Sequence, residues 1–246
     1  MKYLFGNWKM YLDSEQCGVL ADAIADISFD RAAMTGVVFP HALALSDVNR
    51  KVEDTSWHVG IQHIDAVSAG AYTGALSANI AQKTGVRYAL VGHSERRHIF
   101  GEKNVDIKKQ FDACIDAHIV PVLCIGETRE DRDNDKVQYR IKKQLYAALE
   151  NTTYASDSFV VTYEPVWAIG TGSPCLAVDA DEVISYIKQE LVGLGYEHVA
   201  VLYGGSVNAQ NVVSYLSLDC IDGVLVGSAS TRADEWQKVV LAIQNI

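Results

Sequence analysis

Short, continuous apolar runs alternate with longer amphipathic stretches along this 246-residue chain, and the alternation repeats eight times. The runs read as strands at 3–8, 36–39, 57–62, 88–91, 119–125, 159–163, 199–203 and 223–226. A capping box of Asp13 and Gln16 opens a first helix that runs to about residue 27, and further helical patterns fall at 43–50, 79–84, 104–117, 136–149, 179–191, 209–216 and 232–246. Strict alternation predicts parallel pairing through right-handed crossovers, and unbroken apolar runs suit strands covered on both faces. Eight such units in about 250 residues fit a closed (β/α)8 barrel of the α/β class. An open doubly wound sheet would have much the same periodicity. It would, however, carry Gly-x-Gly-x-x-Gly after its first strand, where this chain has Gly6-Asn7-Trp8-Lys9.

At about 150 residues per domain the length alone allows one large domain or two small ones. No Pro- or Ser-rich linker and no charge block interrupts the pattern, so one domain over residues 1–246 is expected. With 49% hydrophobic and 21% charged residues, disorder and collagen-like structure are excluded. The formal charge of −10 argues against a nucleic-acid or anionic-membrane surface. No apolar run reaches membrane-spanning length, and the N-terminal residues turn polar before a signal-peptide core could form, so a cytoplasmic protein is expected. Five widely spaced cysteines without a Cys-x-x-Cys pair indicate neither a disulfide framework nor a zinc site.

Polar residues gather at the C-terminal ends of the strands, the end where barrels of this kind build their sites. Strand one ends in Asn7 and Lys9, which strand alternation would send to one side. Strand four runs into Gly92-His93-Ser94-Glu95-Arg96-Arg97, with an imidazole just before a short helical turn. Strand six ends in Glu164-Pro165, the proline keeping Glu164 extended. The loop that follows, through Val166, Trp167, Ala168, Ile169, Gly170, Thr171 and Gly172 to Ser173-Pro174, is too apolar for an idle solvent loop, and reads as a lid or as a loop packed on the barrel. Strands seven and eight end in Gly204-Gly205-Ser206 and Gly227-Ser228, whose backbone N–H groups can approach an anion closely. Of seven histidines none shows metal-ligand spacing.

Several of these words together resemble the triosephosphate isomerase family over essentially the whole chain. They are Gly6-Asn7-Trp8-Lys9-Met10, Gly92-His93-Ser94-Glu95-Arg96-Arg97, Phe100-Gly101-Glu102, Cys124-Ile125-Gly126-Glu127, the run from Tyr163 to Gly172, Tyr203-Gly204-Gly205-Ser206-Val207, and Gly223-Val224-Leu225-Val226-Gly227. The resemblance implies a TIM barrel that interconverts dihydroxyacetone phosphate and D-glyceraldehyde 3-phosphate, without metal or organic cofactor, as a homodimer. It implies Glu164 as the base, His93 as a neutral electrophile, Lys9 and Asn7 as further donors, and Glu95 as the ion-pair partner of Lys9. The phosphate would rest on the N–H groups of Gly170, Gly205, Ser206, Gly227 and Ser228, under a lid over 165–175, with Tyr203 bonding the N–H of Cys175.

Three departures from the family pattern carry expectations of their own. Ser228 replaces a glycine, and would be strained by about 1–2 kcal/mol if the position needs positive φ. Pro174 in the lid's second hinge predicts a stiffer hinge. In the dimer loop, 63–78, Thr73 would reach the partner's site, but Ala75 stands for a glutamate and His63 for an asparagine, leaving Arg96 without its usual partner. Two competing readings are a barrel that has lost catalysis and serves for binding or structure, and a different, metal-dependent phosphate enzyme.

Overall fold

Eight parallel strands close into a barrel in the order of the sequence in a computed structural model that describes residues 1–170, 174–244 and 246. The strands are β1 (Lys2–Asn7), β2 (Met34–Phe39), β3 (Trp57–Ile61), β4 (Tyr88–Val91), β5 (Val120–Ile125), β6 (Val160–Tyr163), β7 (Ala200–Gly205) and β8 (Gly223–Val226). The ring shuts where Leu4, Phe5 and Gly6 of β1 lie beside Val224, Leu225 and Val226 of β8. The doubly wound alternative falls with that pairing. Around the barrel lie α1 (Ser14–Ala25), α2 (Leu45–Val52), α3 (Ala78–Lys83), α4 (Ser94–His98), α5 (Asn104–Asp116), α6 (Arg129–Asp133), α7 (Val137–Leu149), α8 (Ala177–Gly193), α9 (Val212–Leu216) and α10 (Ala233–Gln244). The eight helices read from periodicity are present, and α4 and α6 are additional five-residue turns after β4 and β5.

Side-chain alternation divides the core in two. Phe5, Phe39, Leu90, Val122, Val160, Leu202 and Leu225 fill the barrel interior. Their neighbours Leu4, Val38, Leu123, Val161 and Val224 face outward against the helices. Full burial of side chains of this size stabilises by roughly 1.5–3 kcal/mol each. The same parity, carried two residues on from Phe5 and four on from Val160, aims Asn7 and Glu164 into the C-terminal mouth.

Boundaries shift where local bonds compete with the ladder. β7 runs on through Gly204 and Gly205, which pair with Leu225 and Val226. Helix α9 starts at Val212, not 209, because the Asn208 side chain takes the N–H groups of Gln210 and Asn211 at 2.9 and 3.2 Å. Asp13 and Gln16 form the expected capping box at α1, which ends at Ala25. All five cysteines are free, four buried and Cys220 half-buried. No described helix is long and apolar enough to cross a membrane.

Candidate active site

Glu164 is buried at the end of β6, and its position depends on residues without side chains. A Cβ on Gly126 would stand 1.7 Å from the Glu164 carbonyl oxygen, and one on Gly204 would stand 3.1 Å from Glu164 Cγ. The Glu164 N–H donates to the carbonyl of Ile125 at 2.7 Å, tying the end of β6 to that of β5. Its carboxylate takes the N–H of Ser94 on Oε2 at 2.9 Å, while Oε1 lies 3.2 Å from His93 Nε2.

Gly92, at φ 71°, breaks the alternation of β4 and turns His93 into the mouth. His93 caps α4, its Nδ1 accepting the N–H of Glu95 at 3.3 Å. With Nδ1 accepting that N–H, the assignment that fits places the ring proton on Nε2, towards Glu164 Oε1. Arg97 braces this corner from below, donating to the carbonyls of Gly92 at 2.6 Å and Cys124 at 2.9 Å. Burial lowers its guanidinium to about 10. Burial, with the nearby Glu164 carboxylate, pushes the Cys124 thiol well above its usual range.

Lys9 arrives by a different route from the one its spacing suggested. β1 ends at Asn7, and Lys9 adopts left-handed backbone, φ 52°, so strand alternation does not place it. Two bonds fix that conformation: Lys9 N–H donates to Asn7 Oδ1 at 3.0 Å, and Gln62 Nε2 donates to the Lys9 carbonyl at 2.8 Å. Lys9 Nζ then reaches Glu95 Oε1 at 2.6 Å. Asn7 Nδ2 lies 3.4 Å from His93 Nε2.

Asn7, Lys9, His93 and Glu164 open onto one cavity of about 290 Å³, whose far wall is made by Gly170, Gly205, Ser206, Gly227 and Ser228. The N–H groups of Gly170, Ser206, Gly227 and Ser228 have no acceptor among the described residues. The expected strain at Ser228 is absent: positive φ among described non-glycine residues falls on Lys9, His118, Asp135 and Asn151, whereas Ser228 begins a 3-10 turn, Ser228–Thr231. Glu95 does not line the cavity and acts on it through Lys9. Thr73 is exposed and also lies outside it.

Of the loop after β6, Ile169 lines the cavity, and Val166–Ala168 form a 3-10 turn after Pro165. Thr171 and Gly172, with Ser173, lie outside the described residues. The turn is pinned by contacts that the sequence did not single out. Trp167 Nε1 donates to the fully buried Glu127 Oε1 at 2.7 Å, and the same oxygen takes Arg132 Nε and the Tyr163 hydroxyl, each at 3.2 Å. Ser206 Oγ holds the Ala168 carbonyl at 2.8 Å. Beyond the undescribed residues, the Tyr215 hydroxyl donates to the Cys175 carbonyl at 2.6 Å. The Tyr203 hydroxyl, expected to bond Cys175, lies near its N–H and near Tyr215 but makes no well-formed bond among the described residues. Tyr203 instead stacks on Tyr215, ring centroids 4.2 Å apart. Only the position of Glu127 directly after Gly126 at the end of β5 could have drawn attention to this anchor.

Arg96 is not left alone by Ala75. Its Nη2 and Nε reach Glu102 Oε1 at 2.6 and 2.8 Å, and its guanidinium lies over the Phe100 ring at 4.4 Å. His63 lies 3.2 Å from Asp65 Oδ1. Among the described residues no group of three or more His, Cys, Asp or Glu side chains is arranged to hold a metal ion.

The arrangement places a carboxylate and an imidazole on one wall of a barrel-mouth cavity and, on the other, backbone N–H groups without an acceptor among the described residues. The chain belongs to the triosephosphate isomerase family, whose model matches residues 2–243. It is 36% identical to the triosephosphate isomerase of Francisella philomiragia over 244 residues, 97% of this chain and 96% of that protein. The triosephosphate isomerase of Francisella tularensis is 35% identical over 243 residues, with the same coverage. That of Endomicrobium trichonymphae is 37% identical over 245 residues, 96% of each chain.

Proposed function

We propose that this protein interconverts dihydroxyacetone phosphate and D-glyceraldehyde 3-phosphate by moving a proton between neighbouring carbons. The observation that carries the reading is Glu164 Oε1 at 3.2 Å from His93 Nε2, inside a cavity whose opposite wall presents four N–H groups without an acceptor among the described residues. A carbon acid needs a base in contact with it and a donor on the oxygen that gains charge. The Glu164 carboxylate takes a proton from the carbon beside the carbonyl, and the C–H electron pair becomes the double bond of an enediolate. The carbonyl oxygen takes up the charge and meets the Nε2–H of His93, with Lys9 Nζ and Asn7 Nδ2 at the same end. Return of the proton from Glu164 to the other carbon completes the isomerisation. This division of roles, a glutamate as base and a neutral histidine as electrophile, is the one that the family resemblance implies.

To do this Glu164 leaves the Ser94 N–H that it accepts at 2.9 Å. The phosphate takes its place on the N–H groups of Gly170, Gly205, Ser206, Gly227 and Ser228. Residues 165–175 act as the lid, anchored at Trp167 by Glu127 and at Cys175 by Tyr215. Closure over Ile169 excludes water from the enediolate.

A homodimer through residues 63–78, with Thr73 directed at the partner's cavity, fits the surface. Met10, Leu43, Tyr72 and Ile99 are exposed, and they sit on the loops after four successive strands, β1 to β4, at one end of the barrel. A cytoplasmic location fits the five free cysteines. Turnover in deuterium oxide tests the chemistry directly. Exchange of the proton held on Glu164 with solvent is expected to put deuterium on the carbon that receives it, whereas product free of deuterium together with an unimpaired Glu164→Gln variant, as a direct hydride shift would give, would overturn the reading.

A further inference from the structure

Arg232 follows the 3-10 turn Ser228–Thr231 in extended conformation, φ −125° and ψ 122°, and lines the cavity beside Gly227 and Ser228. Its guanidinium has no carboxylate partner among the described residues. The adjacent acids of α10 are engaged elsewhere, with Asp234 and Glu235 lying 3.7 and 3.1 Å from Lys238 Nζ. The other cation of the cavity, Lys9, is held by Glu95 at 2.6 Å. The turn carrying Arg232 is stiffened by its own hydroxyls. Ser230 Oγ donates to the Gly227 carbonyl at 2.7 Å and Thr231 Oγ1 to the Ser228 carbonyl at 2.8 Å. Both bonds occupy carbonyls, which leaves the N–H groups of Gly227 and Ser228 open.

The geometry points to Arg232 as a phosphate-binding residue that completes this wall from the solvent side. The inference rests on the reading that the ligand carries a phosphate. A phosphate dianion on backbone dipoles alone would leave its charge largely uncompensated, because Glu95 already neutralises Lys9 and the chain as a whole stands at −10. An unpaired guanidinium at the mouth supplies a full positive charge, and its planar fork matches two oxygens of a phosphate. Its exposure lets it accept a ligand on arrival and release it afterwards.

Three variants, Arg232→Ala, Arg232→Lys and Lys136→Ala, test this. The last removes the same unit of charge from an exposed position outside the cavity. The readouts are binding of inorganic phosphate by calorimetry, and KM and kcat for D-glyceraldehyde 3-phosphate beside those for phosphate-free glyceraldehyde. Arg232→Ala is expected to weaken phosphate binding and raise KM by about tenfold or more, with kcat within about twofold and the phosphate-free substrate unaffected. Arg232→Lys should recover part of the loss, and Lys136→Ala should change neither constant. Phosphate binding and KM unchanged in Arg232→Ala, in a wild type that binds phosphate and isomerises, would overturn the role of Arg232 alone. Equal losses on both substrates would assign Arg232 a structural role instead. A wild type that neither binds phosphate nor turns over the triose phosphate would overturn the functional reading as well.

Discussion

Glu164 sits where it does because Gly126 and Gly204 leave room for its backbone and side chain. A methyl group at residue 204 would press on Thr162 Cγ2 at 2.7 Å and on Glu164 Cγ at 3.1 Å. Gly204→Ala is therefore expected to displace the carboxylate by some tenths of an ångström. Misplacement of a reacting group by about 1 Å can cost about 10²-fold, so a fall in kcat of at least about tenfold is expected, with a smaller change in KM. Steady-state kinetics on the folded variant check this, and an unchanged kcat would count against the packing argument. The inward aim of Asn7 and Glu164 could be read from the sequence, because it follows from strand parity. The placement of Lys9 and His93 could not, although both residues stood out. One is delivered by left-handed backbone on a lysine, the other by a glycine turn that breaks the alternation. Such conformations are set by tertiary bonds, here from Gln62 and Arg97, which no local pattern announces.

At the scale of elements, the short helix α6 shows how a five-residue turn is made stable enough to carry the lid's anchor. Thr128 and Asp131 form a capping box, and Arg140 from α7 grips both Asp131 oxygens at 2.9 and 2.8 Å. Burial alone would raise the Asp131 carboxyl, but the bonds from Arg140 and Thr128 outweigh it and bring it down to about 2. A carboxyl depressed in the folded state stabilises fully above its unfolded value, near 4, and loses that contribution as pH falls through about 2. The contribution is on the order of 2 kcal/mol at neutral pH. Asp131→Asn should be less stable than wild type by about that amount at pH 7, and the two should converge between about pH 4 and pH 2. Denaturant titrations at several pH values measure the gap, and a gap independent of pH would refute the linkage. Helix α6 was invisible to periodicity because five residues span barely one turn and a half, whereas the equally short α4 is the helical turn read after His93. The strands were read nearly to their ends, since short apolar runs that alternate with longer amphipathic stretches suit a parallel sheet buried on both sides.

For the whole molecule, the apolar side chains at one end of the barrel stay exposed among the described residues. Met10 and Leu43 are 91% and 89% exposed, which a monomer would leave in water. Sedimentation velocity is expected to show a dimer that dissociates on dilution, with the weaker coupling that follows from Ala75 and from an Arg96 already satisfied by Glu102. A monomer at every concentration would contradict the dimer reading. The closed barrel itself was within reach of the sequence, but whether its ring shut rested on a negative sign, the missing glycine fingerprint, until β1 was seen beside β8. The net charge of −10 has also acquired a local qualification. It argues against polyanions in general without arguing against one small anion, since on the proposed role of Arg232 that guanidinium and the backbone N–H groups would meet the anion locally.

An isomerase assay on wild type beside Glu164→Gln bears most directly on the proposal that this barrel moves a proton through Glu164. Glutamine keeps the shape of the side chain and its bond from the Ser94 N–H, while removing the base. Wild type is expected to convert D-glyceraldehyde 3-phosphate to dihydroxyacetone phosphate, and folded Glu164→Gln to lose at least about 10²-fold in kcat. A wild type without isomerase activity, or a variant as fast as wild type, would contradict it.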